Sequence, residues 1–514
     1  MKHDMILVLD FGGQYCHLIA RRIRENSVYS EIAPCDITPS QLAGMQEEHN
    51  VMGIILSGGP SSIYEKDAPQ LDVKILDSGL PVLGICYGHQ LLAHRLRGRV
   101  VEAKRKEFGI ASAEVAGGSV LLKGLSPREQ VWMSHGDTVL KPPEGSTVIA
   151  TTDNCPVAAF QDEKRRIYGV QWHPEVVHTT NGETILRNFI FGICGCRPDW
   201  KVGDLVEQYV NGVRAAVKGQ RAIIALSGGI DSSTAGAIAA RAIGRNLTAV
   251  FIDNGLMREN EPEQISDMAR ALGITYVHVD ARARFLEKLK GIADPEQKRK
   301  AIGNEFIRVF EEEAEKVGAR YLIQGTIYPD RIESGISKKS RVIKTHHNVG
   351  GLPETMKFAG LVEPLKELYK DEVRKVASRL GLPKEMVNRQ PFPGPGLAVR
   401  IVGEVTSEKI GIVRKADAIV TDEIAAAGLN DLPWQYFAVL TDTKSTGVKG
   451  DSRSYGSVIA IRAVGSKDAM TAEFSRIPYG VLERISTRIT NEIADAVRVV
   501  YDITNKPPST IEWE

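Results

Sequence analysis

The sequence predicts an α/β fold: two successive parallel-sheet α/β domains followed by a smaller α+β domain. Short apolar runs alternate with helix-like stretches over most of the chain, which is typical of parallel strands joined by crossover helices. The alternation breaks at residues 192–203 and again at 390–396, where three prolines and two glycines fall within seven residues. Neither a helix nor a central strand accommodates such a run. We therefore predict domains at 1–195, 200–389 and 390–514.

The individual elements follow from the length and spacing of the apolar runs. Short continuous runs bounded by glycines or polar turns are typical of buried parallel strands. Near the C-terminal end, Val481–Val500 repeats apolar residues every four positions, which predicts one amphipathic helix. The predicted strands are Met5–Leu9, Gly53–Leu56, Val82–Ile85, Ile223–Leu226, Thr248–Ile252, Tyr276–Val279 and Tyr321–Ile323, with Phe437–Leu440 and Ser457–Val464 in a mixed or antiparallel sheet.

Composition restricts the classes of function. The 514 residues carry 65 basic and 64 acidic side chains, a net charge of +1, which does not favour a nucleic-acid or membrane partner. No apolar stretch reaches the roughly 18 residues of a membrane-spanning helix. Six cysteines in this length are too few for a disulfide framework and indicate a reduced, cytoplasmic protein. Cys194 and Cys196 suggest a metal site, but no second pair completes one.

Residues 84–88 have the form Gly-x-Cys-x-Gly and follow a predicted strand. Flanking glycines allow the tight strand-to-helix turn that exposes a central nucleophile, here Cys86. The pattern alone also occurs in ordinary turns. Two further segments favour the functional interpretation. The glycines of Ser57–Pro60 free a backbone N–H for an oxyanion, and His173 and Glu175 share one side of an extended segment.

These features predict that His173 takes the proton of Cys86 and that Glu175 orients the imidazole ring. His135 lies outside this strand-end pair, so we expect that histidine not to be the base. Over residues ~1–195 the motifs resemble those of class I glutamine amidotransferases. The resemblance implies a Cys86 nucleophile, a His173 base, a Glu175 orienter, a thioester intermediate and release of ammonia. It further implies oxyanion or glutamine contacts from Gly59, Tyr87, Gln90, Ser134 and His135.

Residues 227–233 read Ser-Gly-Gly-Ile-Asp-Ser-Ser and lie between a predicted strand and a small-residue helix. Successive N–H groups in a glycine turn at a helix start bind anions, and serine hydroxyls add donors. Asp231 by itself would repel phosphate, which points to a Mg²⁺ ion between the two. The Gly-Lys-Ser/Thr ending of a Walker A loop is absent. A glycine turn alone can be simply a turn, but Asp231 and Ser232 make this pattern more specific.

The segment resembles the phosphate loop of the ATP pyrophosphatases. The resemblance implies that ATP is a substrate, that the loop holds its β- and γ-phosphates and that no organic prosthetic group is required. Asp231 is the predicted metal ligand. Asp253 ends the next predicted strand, where open parallel sheets bind ligands, so it is expected to contact adenine or ribose. The predicted ATP contacts are Ser227, Gly228, Gly229, Ile230, Asp231, Ser232, Ser233 and Asp253.

Further motifs distinguish among the families that share this loop. The whole chain resembles the family of glutamine-hydrolysing GMP synthetases at Gln324–Asp330, Lys344–Gly351, Arg389–Gly396, Lys449–Arg453 and Asn505–Glu514. The resemblance implies the last step of GMP biosynthesis. In that reaction xanthosine monophosphate (XMP), ATP, glutamine and water give GMP, AMP, pyrophosphate and glutamate through an adenyl-XMP intermediate. It also implies a homodimer formed by the C-terminal domain.

XMP carries a phosphate and purine carbonyl groups, so its pocket requires cations and neutral donors. A proline-rich tail is usually disordered, but Ile511 and Trp513 favour docking here. The predicted XMP contacts are Arg389, Gln390, Lys506 and Glu512. Lys338–Ser340 is interpreted either as a mobile basic loop or as a solvated turn. Two rival functions stay open: a related amidotransferase-coupled pyrophosphatase with another acceptor, and a non-catalytic nucleotide-binding regulator.

Overall fold

The computed structural model describes residues 2–336, 358–430, 432–449, 452–466 and 471–514. The chain divides into two compact units, Met1–Lys201 and Val202–Glu514, and this division falls within the predicted break at 192–203. The motif at 344–351, the basic segment 338–340 and residues 450–451 lie outside the described residues. Within the described part, every helix is too short or too polar to cross a membrane.

The first unit begins with a strand and alternates strands with helices up to residue 95. Its helices are α1 (Cys16–Glu25), α2 (Pro39–Glu48), α3 (Tyr87–Arg95) and α4 (Gly182–Arg187), with a 3₁₀ segment at Val73–Ser78 and a π-helical segment at Asn188–Ile193. Its strands are β1 (Asp4–Asp10), β2 (Tyr29–Pro34), β3 (Asn50–Leu56), β4 (Val82–Ile85), β5 (Arg99–Val115), β6 (Arg128–Lys141), β7 (Thr147–Thr151), β8 (Ala159–Asp162) and β9 (Ile167–Val170).

Over its described residues, the first unit forms one nine-stranded sheet in the order β2-β1-β3-β4-β9-β8-β7-β5-β6. In the part of this order that runs β2-β1-β3-β4-β9, neighbouring strands pair in parallel. This confirms the predicted parallel strands. The remaining strands pair antiparallel and include the long hairpin of β5 and β6, which was not predicted. The segments that follow β3, β4 and β9 meet at one edge because these three strands are adjacent and parallel.

The second unit contains two sheets. Its helices are α5 (Val206–Val217), α6 (Ile230–Ile243), α7 (Glu261–Ala271), α8 (Arg282–Leu289), α9 (Pro295–Val317), α10 (Tyr328–Ile336), α11 (Lys370–Arg379), α12 (Lys384–Val387), α13 (Ser407–Ala426) and α14 (Tyr479–Glu492), with 3₁₀ segments at Val202–Leu205, Gly244–Asn246 and Gly396–Arg400. Its strands are β10 (Ala222–Ala225), β11 (Leu247–Asp253), β12 (Thr275–Asp280), β13 (Tyr321–Ile323), β14 (Gly360–Val362), β15 (Gln435–Lys449), β16 (Ser452–Gly465), β17 (Glu473–Phe474) and β18 (Ala496–Asp502).

Within the described part of the second unit, five parallel strands form one sheet in the order β12-β11-β10-β13-β14. In the other sheet β15 and β17 pair antiparallel with β16, and β18 pairs with β16 in parallel. Both the parallel sheet and the mixed sheet were predicted. A single buried cluster contains residues of both, among them Val250, Ile302, Val413, Ile459 and Ile485. The predicted domain boundary near residue 390 therefore lies inside one compact unit.

The prediction of one helix over Val481–Val500 is wrong. Helix α14 ends at Glu492, and the backbone of Ile493 is extended, with φ −114° and ψ 106°. The next residues form β18, which pairs with β16. A spacing of four residues is close to one helical turn but is also a multiple of the two-residue strand period. The spacing therefore did not distinguish the two, and the valine-rich sequence of β18 favours a strand.

Candidate active sites

Cys86 lies at a sharp turn between β4 and α3. Its backbone has φ 52° and ψ −103°, a conformation that non-glycine residues rarely adopt and that is common at functional sites. A Cβ added at Gly84 would lie 2.5 Å from the carbonyl oxygen of Gly88, and one at Gly88 would lie 2.5 Å from that of Leu56. Both glycines are therefore required by close backbone packing, and the turn presents Cys86 at the edge where β3, β4 and β9 end.

His173 and Glu175 meet Cys86 at this edge. Nδ1 of His173 lies 2.7 Å from Oε1 of Glu175, and both side chains are buried. Burial lowers the pKa of His173, but the neighbouring Glu175 carboxylate and Cys86 outweigh it and hold that pKa well above its usual value. A Cβ at Gly58 would lie 3.0 Å from the His173 ring and 3.6 Å from Cβ of Cys86. The three predicted segments are thus brought together.

His135 has a carboxylate partner on the neighbouring strand. Its Nε2 lies 3.0 Å from Oε2 of Glu107, and its Nδ1 lies 2.8 Å from the carbonyl oxygen of Asp137. Glu107 belongs to β5 and stands opposite His135 of β6, a neighbour that sequence spacing does not reveal. Burial lowers the pKa of His135. Because both ring nitrogens of His135 already have partners, this histidine links β6 to β5 and is poorly placed to act as a base.

Of the other predicted glutamine contacts, Ser134 meets the thiol and the rest contact neighbouring segments. Sγ of Cys86 donates to the carbonyl oxygen of Ser134 at 3.5 Å. The Gln90 amide donates to the carbonyl oxygen of Asp137 at 2.9 Å and to Oε1 of Gln171 at 3.2 Å, so Gln90 braces the pocket. The hydroxyl of Tyr87 donates to the carbonyl oxygen of Pro69 at 2.6 Å. A Cβ at Gly59 would lie 2.6 Å from the carbonyl oxygen of Phe11, which explains that glycine.

The loop 227–233 joins β10 to the first turn of α6. The hydroxyls of Ser227 and Ser232 lie 3.0 Å apart, and the Ser227 N–H donates to Oγ of Ser232 at 3.3 Å. Gly228 has φ +74°, which a residue with a side chain would rarely adopt. The loop therefore lies at the positive end of the α6 dipole, as an anion site requires. Ser233 is fully buried, unlike the exposed Ser227.

Asp231 forms an ion pair with Lys370, at the start of α11. The other carboxylate oxygen, Oδ1, is buried and has no hydrogen-bond partner among the described residues. A Mg²⁺ ion held mainly by phosphates requires only one or two protein carboxylates, so Asp231 fits such an ion. No group of three or more possible metal ligands occurs in the part of the chain that the structure describes. Lys370 was not predicted, because it lies 139 residues from Asp231 in sequence.

Asp253 ends β11 and is mostly buried. Its Oδ1 accepts the backbone N–H of Gly255 at 2.9 Å, and its Oδ2 lies 3.7 Å from Nε of Arg282. This carboxylate therefore shapes the turn that follows β11. Its predicted contact with adenine or ribose stays a prediction.

Two of the predicted acceptor contacts lie near the phosphate loop and β15. Nη1 of Arg389 donates to the carbonyl oxygen of Gly228 at 3.1 Å, and the same guanidinium pairs with Glu261. Burial, with a smaller effect of Arg258, lowers the pKa of Arg389 to about 10. Oε1 of Gln390 accepts the backbone N–H of Tyr436 at 2.8 Å. Arg389 thus reaches the loop 227–233 directly.

The other two predicted acceptor contacts belong to the tail, which docks as predicted, with Ile511 buried. The Glu512 carboxylate lies 3.1 and 3.2 Å from two nitrogens of Arg400, and Nε2 of Gln435 donates to it at 2.8 Å. Lys506 exchanges backbone hydrogen bonds with Ala472 at 2.7 and 3.0 Å. The roles of Arg389, Gln390, Lys506 and Glu512 in XMP binding stay predictions.

Three models of known protein families match three different stretches of the chain. The model described as glutamine amidotransferase class-I matches residues 7–193, that described as NAD synthase matches 201–311, and that described as GMP synthase C terminal domain matches 422–513.

Curated relatives match from end to end. Proteins named glutamine-hydrolyzing GMP synthase are 53% identical in Caldicellulosiruptor saccharolyticus, 53% in Geobacillus kaustophilus and 51% in Clostridium botulinum. In each case the match covers 100% of this chain and 100% of the relative.

Proposed function

Because the chain belongs to the family of glutamine-hydrolysing GMP synthases, we propose that it makes GMP from XMP, ATP, glutamine and water. The other products are AMP, pyrophosphate and glutamate. The observation that supports this function best is the presence in one chain of two complementary sites. One is a cysteine with a paired histidine and carboxylate, and the other is a serine-glycine loop at a helix start that carries Asp231.

In the first unit, the thiol of Cys86 attacks the side-chain amide carbon of glutamine while His173 accepts its proton. The tetrahedral oxyanion is stabilised by backbone N–H groups around Gly59 and Tyr87. His173 then donates the proton to the leaving nitrogen, which departs as ammonia and leaves a thioester. Water attacks the thioester with His173 as general base, and glutamate is released. Glu175 holds the ring with Nδ1 protonated, so Nε2 is the nitrogen that exchanges the proton.

In the second unit, oxygen O2 of XMP attacks the α-phosphorus of ATP, and the bond to pyrophosphate breaks. The loop 227–233 and Lys370 stabilise the charge on the departing pyrophosphate. Mg²⁺, bound through Asp231, would supply further positive charge to the phosphates. Ammonia then attacks C2 of adenyl-XMP, the C2–O bond breaks and AMP leaves, giving GMP after loss of a proton. Arg389, which donates to the carbonyl oxygen of Gly228, lies where its guanidinium can either fix the loop or bind an anionic substrate.

We further propose a homodimer formed through the C-terminal sheet. Val448 and Tyr455 lie on β15 and β16 and expose 73% and 75% of their surfaces, which favours a partner surface there. The division into domains at 1–195, 200–389 and 390–514 belongs to the same proposal. So does a cytoplasmic location, which the low cysteine content, six in 514 residues, supports.

The test is synthesis of GMP by the purified chain from XMP, ATP, Mg²⁺ and glutamine labelled with ¹⁵N in its amide. We expect ¹⁵N in the 2-amino group of GMP, with AMP and glutamate formed in equal amounts to GMP. Absence of GMP from a folded protein, with XMP returned unchanged, would contradict the proposed function. Amination of a different nucleotide under the same conditions would favour the rival acceptor.

A further inference from the structure

A chain of buried charges connects the phosphate loop of the second unit to its C-terminal tail. It begins at Gly228, whose carbonyl oxygen accepts a hydrogen bond from Arg389 at 3.1 Å. Arg389 pairs with Glu261, which is 2% exposed. Oε2 of Glu261 in turn accepts the backbone N–H of Arg258 at 2.9 Å. The loop is thus tied to the backbone of Arg258 by partly buried polar contacts.

Asp417, on α13, continues the chain. Its Oδ2 lies 2.9 Å from Nε of Arg258, and its Oδ1 lies 3.2 Å from Nη1 of Arg400. Oδ1 also accepts the backbone N–H of Ala438 at 3.2 Å. The remaining nitrogens of Arg400 reach Glu512 in the tail. Asp417 is 2% exposed and Arg400 is fully buried. Asp417 therefore pairs with both cations, and Glu512 is a second carboxylate partner of Arg400.

The aromatic ring of Phe392 holds these two cations together. The guanidinium carbons of Arg258 and Arg400 lie 4.9 and 5.1 Å from its centroid, within the range of cation–π attraction. Nε and Nη2 of Arg258 have no well-aligned hydrogen bond among the described residues. The charge of Arg258 is therefore balanced mainly by Asp417.

Such a network is stable only when every member is in place. Loss of one member leaves a buried charge without its partner, which is strongly destabilising. The conformation of the loop that Arg389 contacts and the conformation of the tail that Arg400 contacts therefore stabilise each other. Transfer of AMP requires the acceptor oxygen of one substrate to be held about 3–3.5 Å from the α-phosphorus of the other. A rigid connection between the donor loop and the tail serves that requirement.

We propose that Asp417 and Arg258 are positioning residues that couple ATP binding at the loop to XMP binding at the tail. Each substrate then binds more tightly when the other is present. The inference rests on the proposed function, because it takes ATP as donor and XMP as acceptor. Neither residue needs to touch a substrate, since Asp417 acts through Arg400 on Glu512, and Arg258 acts through Glu261 and Arg389 on Gly228.

The test is the Kd of XMP measured by calorimetry on the full chain, with and without saturating α,β-methylene-ATP and Mg²⁺. The ratio of the two Kd values is the coupling factor, and reciprocity requires the same factor for the ATP analogue. We expect a factor of about 5 or more in the unaltered protein and a factor near 1 in Asp417→Asn. Glu423→Gln is the matched control. Glu423 lies on the same helix and pairs with Arg484 and Arg488, outside the network, so this variant should keep the original factor.

A second variant separates coupling from folding. Arg258→Met with Asp417→Asn removes a cation together with the carboxylate, so thermal stability should be closer to that of the unaltered protein. Its coupling factor should still be near 1. The inference is overturned if a folded variant keeps the original coupling factor, or if the unaltered protein binds XMP with no coupling to the ATP analogue. Either result would leave the proposed function standing. Failure of the unaltered protein to bind XMP overturns the proposed function as well.

Discussion

At the scale of single residues, the two sites depend on pairs of side chains, and only some pairs are visible in sequence. His173 and Glu175 were predicted because two positions in an extended segment share a side, and their contact is observed. Glu107 and His135 are 28 residues apart, and Lys370 and Asp231 are 139 apart. Those pairs depend on which strands and helices become neighbours, which local patterns do not encode.

Cys86→Ala separates the two sites. We expect loss of glutamine-dependent GMP synthesis, because the nucleophile is gone, while synthesis from added ammonium salt continues at nearly the original rate. Both rates are followed by GMP formation at saturating XMP and ATP. Cys196→Ala, which removes another buried thiol of the same unit, should retain both. Loss of the ammonia-dependent reaction in folded Cys86→Ala would contradict independent sites.

Glu107→Gln tests the bracing of the glutamine pocket. Loss of the charge weakens the hold on His135, and so on the Ser134 carbonyl that accepts from the thiol. We expect kcat for glutamine hydrolysis to fall about tenfold, equivalent to about 1.4 kcal/mol, with ammonia-dependent synthesis unchanged. Glu114→Gln on the same strand removes an exposed ion pair with Arg128 and should have no effect. Equal glutaminase rates in the two variants would exclude this role of Glu107.

Asp231→Asn should slow pyrophosphate release whether the nitrogen comes from glutamine or from ammonia. The substitution removes the partner of Lys370 and the carboxylate oxygen available to Mg²⁺. Pyrophosphate release is measured across a series of Mg²⁺ concentrations, and we expect the variant to require more Mg²⁺ for half-maximal rate. Turnover equal to that of the unaltered protein at every concentration would remove Asp231 from the ATP site.

At the scale of elements, the parallel strands were predictable because continuous apolar runs followed by glycine turns have few other interpretations. Helix α14 and strand β18 were merged in the prediction, since apolar residues four apart fit both periods. The hairpin of β5 and β6 was also missed. Buried and exposed residues do alternate along β6, as expected for a half-buried antiparallel strand. Its partner strand, however, depends on long-range pairing.

The docked tail should stabilise the second unit as well as bind substrate. Deletion of residues 512–514 would remove Glu512 from Arg400 and Glu514 from Lys298, and both cations are fully buried. Arg400 would keep Asp417, but Lys298 would lose its carboxylate partner. An uncompensated buried charge costs about 3–5 kcal/mol, so we expect a large fall in the thermal midpoint of the second unit. Calorimetry measures it. Trp513→Phe keeps both carboxylates and loses the hydrogen bond to Asp502 and part of a ring that is 39% exposed, so it should shift the midpoint little. Equal shifts would contradict an anchoring role for the two carboxylates.

At the scale of the whole molecule, the chain joins an amidotransferase site to a nucleotide site in two compact units. Sequence motifs were sufficient to predict both chemistries, and relatives of the same length confirm the family. The acceptor contacts were the least predictable part. Arg389 and Glu512 were chosen from motifs, and both lie in internal ion pairs. A charged residue in a motif can also support a site without touching the substrate, so their contact with XMP stays a prediction.

The central claim is that O2 of XMP is activated by adenylation and then replaced by ammonia from glutamine. Ammonia alone displaces a carbonyl oxygen poorly, and the loop 227–233 lacks the lysine of a γ-phosphate transfer site. The most direct test supplies XMP labelled with ¹⁸O at C2, together with ATP, Mg²⁺ and glutamine, and follows the label by mass spectrometry. The account predicts one ¹⁸O atom in the phosphate of AMP for each GMP formed. Label in inorganic phosphate, or in neither nucleotide nor phosphate, would contradict it.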